Sequence, residues 1–450
     1  YFYASGSASA VLTEIFPKLK SKTFSFAKLR GSIARVGNDA GFDRLINSYS
    51  YGGLFRNDMA WFQGDAVRKN PNLKPETTIS KEIGAEVRLL DGRLTADVTY
   101  YDKYTRDQIV ESELSYLSNY QRVIINSGKI SNKGWEISVS GVPVKVKNFE
   151  WKTIFNWSKN NSMVESLPEG IDKIQIGSGV YNVKSYAEVG KPYGAIYAKT
   201  FKRDAEGYIL CQLDGSPKEG QDYEYLGCVQ ADWRGGWNNV FRLGNFSFSV
   251  MFDFQKGGKF FSQTSIQSSV DGQSVKSLEG RDADFFSRKI LGESDEERYG
   301  FMRPQNANTP TANGQIYPDW ARPKGVVLPN CRYDEDVEGL AGQQVLGYCT
   351  PERYWMHYTS RDISRFIYDA SYVKLREITV SYDLPKKWLR KTPFQTFRVA
   401  AVGRNIATLF ANTPHGLDPQ ATSTTGNAQG FERGFNLPSA TYGFDIKVSF

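Results

Sequence analysis

Two stretches hold the residue types most able to grip a ligand, "YPDWARP" at 317–323 and "PERYWMHYTSRD" at 351–362. Trp320, Tyr354, Trp355 and Tyr358 could stack on sugar rings, and Arg361 and Asp362 could bond hydroxyls or a peptide backbone. The same aromatics could instead pack their loop on itself or on a partner protein. Four cysteines fall as two local pairs, Cys211/Cys228 and Cys331/Cys349. Read as disulfides, they place the chain in an oxidising compartment; the alternative is four unrelated thiols. His357 and His415 are far apart and near no Cys-x-x-Cys, so no zinc site is expected. The acidic-basic stretch 279–300 reads as a short surface helix on Phe285, Phe286, Ile290 and Leu291. Nothing there sets two carboxylates face to face at the roughly 5–10 Å that glycoside hydrolysis needs. With no G-x-S-x-G, phosphate loop or H-E-x-x-H, neither an enzyme nor a cofactor or metal is expected.

The elements that must position these residues are strands. In "KEIGAEVRLLDGRLTADVTYYDKY" (81–104), Ile83, Ala85, Val87 and Leu89 form one face. Past the Asp91-Gly92 turn the face continues through Leu94, Ala96, Val98 and Tyr100. Glu82, Glu86, Arg88, Thr95, Asp97 and Thr99 line the other face. The same period of two marks 133–142, 149–157, 245–254 and the closing 440–450. Further strands are expected at 1–13, 25–37, 234–242, 371–384 and 394–404, which makes eleven. The weakest are 234–242, where Asn239 interrupts the apolar face, and 371–384, apolar only from Ile378 onward.

Connections alternate in length. Short ones fall at 14–24, 91–92, 143–148, 243–244 and 385–393; long ones fall at 38–76, 105–132, 158–233, 257–370 and 405–439. Short turns on one side and long loops on the other are the pattern of an outer-membrane barrel. The apolar faces carry no charge on the best strands, and Tyr100, Tyr101, Trp135, Trp151 and Trp157 sit near strand ends as interface girdles do. No run reaches the roughly 18–20 apolar residues of a spanning helix. A mean hydropathy of −0.47 does not argue against a barrel, whose alternation hides its apolar face. The net charge of +7 is spread over short runs between strands rather than a basic groove with stacking aromatics, so no nucleic-acid partner is expected. The fold class is therefore all-β, a transmembrane antiparallel β-barrel; a secreted soluble β-rich glycan-binding protein or hydrolase is the alternative.

A closed barrel leaves no edge. Counting back from 440–450 makes the first and last of eleven strands parallel, so residues 1–450 are expected to be the C-terminal portion of a larger barrel. The opening "YFYASGSASA" carries no charged leader and already reads as strand. Phe450, closing a strand on an aromatic, looks like the assembly signal of bacterial outer-membrane proteins.

The stretch "NPNLKPETTISKEIGAEVRLLDGRLTADVTYYDKYTRDQI" (70–109) resembles the SusC-like TonB-dependent transporters of Bacteroidota. So do 28–39, 126–140, 189–201, 369–385 and 403–410, in the family's order. The resemblance implies the second half of a 22-stranded barrel, with the plug and TonB box outside this chain. It implies import of oligosaccharides or peptides across the outer membrane, beneath a SusD-like lipoprotein lid and powered by TonB. Pairs of transporter and lid could dimerise. No metal site is carried onto "LDGSPKEGQDYEYLG" (213–227).

Overall fold

The computed structural model describes all residues except 1–2, 57, 115, 127, 214, 279–325, 350–353, 415, 422–428 and 435–438. Its frame is one antiparallel sheet of eleven strands, each paired with its neighbours in this order. They are β1 (Ser5–Val11), β2 (Phe24–Asn38), β3 (Glu76–Leu89), β4 (Leu94–Arg106), β5 (Lys129–Val146) and β6 (Phe149–Ser166). There follow β7 (Trp233–Leu243), β8 (Phe246–Lys256), β9 (Tyr372–Asp383), β10 (Thr396–Ala411) and β11 (Thr441–Ser449). All eleven expected strands are present. β1 and β11 are the two edges of the sheet and do not pair with each other.

Turn chemistry closes the short ends. Val146 pairs with Phe149 and Leu243 with Phe246, leaving two-residue turns. Gly244 takes the left-handed φ of 56° that its turn requires. The β3–β4 turn runs over four residues rather than two, because Leu89 pairs with Leu94.

Alternation along the strands sorts the side chains. Leu29, Ile33, Ile83, Trp135, Phe248, Val380 and Ile446 all stand exposed on the outer face. That is the expected state of a wall whose outer solvent is lipid. The apolar band has a visible rim. Tyr100 and Trp135 face each other across β4 and β5 with ring centroids 4.9 Å apart. Two residue pairs further along, on the same face, stand Asp102 and Lys133, an ion pair at 3.4 Å. The strands continue past this rim, which is why β5 and β6 exceed the apolar segments visible in the sequence.

Both weak strands have a physical explanation. Asn239 is buried on the outer face, opposite Thr153. The Trp151 indole donates to its Oδ1 at 3.0 Å, and the Trp237 indole donates to Thr153 Oγ1 at 2.9 Å. Two tryptophans thus satisfy a polar pair that lipid could not. In β9 the partners of β8 skip from Glu377 to Leu375, so Arg376 is an extra, bulged residue. The bulge shifts the parity: Ile378 and Val380 face outward below it, Val373 and Leu375 above it.

The long connections are folded structures, not loops. Lys173–Ser178, Lys184–Glu188, Ala195–Phe201 and Glu219–Cys228 form a four-stranded sheet. Ile209–Cys211, Val326–Tyr333 and Gln344–Cys349 form a three-stranded sheet. Buried Ile196, Phe261, Ile266, Phe366 and Phe431 share a core drawn from the connections β6–β7, β8–β9 and β10–β11. Hydrophobic burial is concentrated in this layer, whereas the wall exposes its apolar side.

Trp151→Phe keeps the ring and deletes the donor to Asn239. It should cost about 1–3 kcal/mol, the usual toll of stranding a buried polar atom. The readout is a lower temperature for loss of the folded, faster-migrating band in unboiled gel samples.

Candidate functional site

The aromatic candidates of the sequence are core residues. Tyr354, Trp355 and Tyr358 are each at most 2% exposed and pack with Phe201, Cys211, Cys331, Tyr333 and Val345. The Tyr354 and Trp355 rings meet edge-on at 5.1 Å, and Arg365 donates to the Tyr354 hydroxyl. So long a connection has to bury its own apolar surface, and these rings are among the residues that do so. Asp362 is buried too and caps the turn 363–366, accepting from the Ser364 amide at 3.2 Å. Arg361 alone keeps a partly exposed side chain, over the Tyr358 ring and 3.8 Å from Glu219. Trp320, His415 and the stretch 279–300 lie outside the described residues.

The Cys211–Cys228 disulfide is not formed. Cys228 keeps its thiol, donating to the Tyr193 carbonyl at 3.6 Å and accepting from the Gln230 amide at 3.4 Å. Burial pushes that thiol's pKa up. Cys331 pairs with Val345 and Cys349 with Val326, so register holds Cys331 and Cys349 apart. Cys331 Sγ donates to the Leu328 carbonyl at 3.2 Å; the Cys349 side chain lies outside the described residues. Sequence proximity suggested partners that strand register does not deliver. Phe450 is exposed, with its ring 5.3 Å from that of Phe394.

Charge is organised in two places. In the layer of connections, buried Asp334 takes Lys202 Nζ at 2.9 Å and Lys218 Nζ at 2.7 Å. Burial raises its pKa, but the hydrogen bonds from the two lysines outweigh burial and hold it at about 2. Lys202, Lys218 and Asp334 thereby join the two strands flanking 209–211 to the strand 326–333.

The other place is the inner face of the wall, which the sequence reading noted only as a polar side. Arg30 on β2 reaches across β3 to Asp97 on β4 with a two-pronged bond, 2.7 Å from Nη1 and 2.6 Å from Nη2, plus Thr99 Oγ1 at 2.6 Å. It passes over Gly84, where a Cβ would sit 2.7 Å from its Nε. Further round, Lys374 is fully buried between Asp418 at 2.5 Å and Gln420 at 3.0 Å, which pins the β10–β11 connection to the inner wall. Arg376 bonds Asp253 and also Gln420, at 2.7 Å. Between these clasps the wall forms an open recess of about 600 Å³, lined by Thr99, Glu136, Ser138, Asn156, Ser158 and Arg234 among others. Among the described residues no His/Cys/Asp/Glu group is arranged to hold a metal.

An antiparallel wall with an apolar outer face, a charged inner face and folded connections gathered at one end is the architecture of an outer-membrane β-barrel. Residues 5–182 match the family model described as TonB dependent receptor-like, beta-barrel. TonB-dependent receptor P3 of Formosa agariphila is 25% identical over 395 residues, covering 83% of this chain and 33% of that protein. TonB-dependent receptor SusC of Bacteroides thetaiotaomicron is 29% identical over 104 residues, 23% of this chain and 10% of that one. The solved RagAB peptide transporter superposes with a TM-score of 0.66 at 16% identity, covering 100% of this chain and 43% of that one. At that identity the likeness is one of fold. The resemblance read from the sequence stands: the chain is similar to SusC-like TonB-dependent transporters, and its location is the outer membrane. It spans about a third of the length of receptor P3.

The depressed pKa of Asp334 sets a pH window. Its contribution is fully present above the ordinary carboxylate value and is lost as pH falls through the folded value, here from about 4 to about 2. Proteolysis of the connection 167–232 should rise over that window, and Asp334→Asn should show the acid-level rate already at pH 7. An equal rate in both proteins at pH 7 would count against the clasp.

Proposed function

We propose that this chain is the C-terminal portion of a 22-stranded barrel that imports oligosaccharides or peptides across the outer membrane. The observation that carries the reading is the wall itself, whose charged inner face lines a passage and whose folded connections form a capture layer at one end. A passage this wide has to be plugged, so the energy comes from TonB acting on a plug N-terminal to these residues. The capture layer is the seat for a SusD-like surface lipoprotein, and two transporter–lid pairs associate as a dimer. Trp320 and Arg361 remain candidates for contact with substrate or lid; Tyr354, Trp355, Tyr358 and Asp362 act by holding the layer rigid. Cys211 and Cys228 serve as thiols rather than as a crosslink. The aromatic end at Phe450 marks the chain for barrel assembly.

The relatives carry the names of receptors and transporters, and no enzymatic role is assigned. A soluble glycan-binding protein or hydrolase does not fit a wall that leaves Ile33, Ile83, Phe248 and Ile446 bare on one face. The test is uptake of labelled oligosaccharide and peptide pools by the native organism, with and without this gene and with and without TonB. We expect one pool to accumulate only when both are present. Uptake that is indifferent to TonB would remove the import reading and leave a surface receptor or adhesin.

A further inference from the structure

We propose that the outer rim of the wall binds the phosphorylated sugar headgroup of an outer-leaflet glycolipid, the lipid A class, on Lys81, Lys133 and Lys159. The inference rests on the barrel fold and not on what the barrel imports. Strands β3 to β8 each have both wall neighbours in place. Their outer face is therefore complete, whatever fills the barrel or stands beyond β1 and β11.

Register builds the site. Lys81 on β3 and Lys133 on β5 stand opposite Asp102 on β4, one on each side. Lys133 takes that carboxylate at 3.4 Å, and Lys81 makes no ion pair among the described residues. Lys159 on β6 lies opposite Trp135, diagonal to Lys133, which sets the two about 7–8 Å apart. Two ammonium groups on flexible stems at that spacing can share one phosphate. Lys256 ends β8 on the same face, opposite Trp233, exposed like Lys81, Lys133 and Lys159. Further from the apolar band, Lys129 and Arg106 stand directly opposite each other, over the Tyr104 ring at 4.9 and 5.0 Å. Glu165 offsets Lys129 alone. Like charges placed directly opposite are destabilising. The inner wall cancels most of its charges in clasps, whereas this outer rim holds more cations than its own carboxylates neutralise.

Position selects the occupant. The cations begin where the aromatic rim of Tyr100 and Trp135 ends, on the side of the long connections. Ile83, Trp135 and Phe155 stand exposed below them. A lipid with its acyl chains on that band carries its headgroup at the level of the lysines. The long connections mark the outward side, where the phosphorylated lipid of the leaflet is lipid A. A free anion would gain the charge without the chains. A second copy of the chain, docking by this face, would bring the same cations and be repelled.

The test uses the full-length transporter, stripped of lipid in detergent, with bound lipid counted by native mass spectrometry. The probes are diphosphorylated lipid A, the same lipid with its phosphates removed, and inorganic phosphate. Diphosphorylated lipid should bind, more weakly as salt rises, and the dephosphorylated form about tenfold or more weakly. Lys81→Gln, which breaks no ion pair, should cost the phosphorylated lipid about fivefold, and Lys81→Gln/Lys133→Gln/Lys159→Gln about a hundredfold. Neither variant should change binding of the dephosphorylated lipid. Lys145→Gln/Lys147→Gln, at the opposite end of the wall, should leave both lipids unaffected. Unboiled gel migration checks that each variant keeps its barrel. Equal affinity for the two lipids, unchanged binding in the triple variant, or an equal loss in the Lys145/Lys147 variant would each overturn the site. Displacement of the lipid by millimolar inorganic phosphate would overturn it too, by showing an anion site that needs no acyl chains.

Discussion

Everything in this structure follows from the backbone having no solvent to turn to. In hydrocarbon each N–H and C=O must find its partner within the protein, so a chain that crosses by strands must form an unbroken ladder. The eleven wall strands pair in strict sequence order, and the nine between the edges β1 and β11 are bonded on both sides. The ladder then fixes the period of two, and with it the division between a face for lipid and a face for water. Where the ladder is disturbed the division is repaired locally. The bulge at Arg376 adds one residue and shifts the parity, and Trp151 and Trp237 cover Asn239 and Thr153 with indole donors.

The same constraint explains what could be read from the sequence. Alternation is a short-range signal, so all eleven strands were legible, as was the side of the sheet on which the connections are long. Asn239 and Arg376 looked like flaws because their remedies lie on other strands, or depend on an extra residue that pattern reading cannot see. The folded connections were illegible for a different reason. Ala195–Phe201 is buried on both faces and Ile209–Cys211 is only three residues long, so neither shows a period. The aromatics Tyr354, Trp355 and Tyr358 have the composition of a binding surface and the burial of a core, and only packing distinguishes the two. For the cysteines, neighbours in sequence were separated by register, since strand pairing brings residues 209–211 beside 331–333 instead.

The stabilising forces are divided between the two parts of the molecule. The wall gains from its ladder and from lipid contact, and its inner clasps, Arg30–Asp97 and Arg376–Asp253, tie strands that already pair. The layer of connections stands in water and is held by buried aromatics and by Asp334 between its lysines. Because Phe261 and Phe431 pair across two connections, and Ile196 and Ile266 share their core, the layer acts as one body anchored at several points of the rim. A surface meant to receive a ligand or a lid keeps its shape by this means even though it is made of connecting segments.

That division bears on where selectivity can reside. Residues in the layer are committed to packing, and altering them risks the body that presents them. The inner wall is under weaker constraint. Its backbone is fixed by the ladder, its side chains need only be polar, and most of its charges already cancel in pairs. A charge left unpaired there costs little while water fills the passage and becomes expensive once a ligand displaces that water. A contact that pairs such a charge is favoured over one that strands it, without any change in the fold. Substitutions on the inner wall can therefore change what the passage meets without disturbing a core, whereas a site in the layer would have to be rebuilt along with its packing.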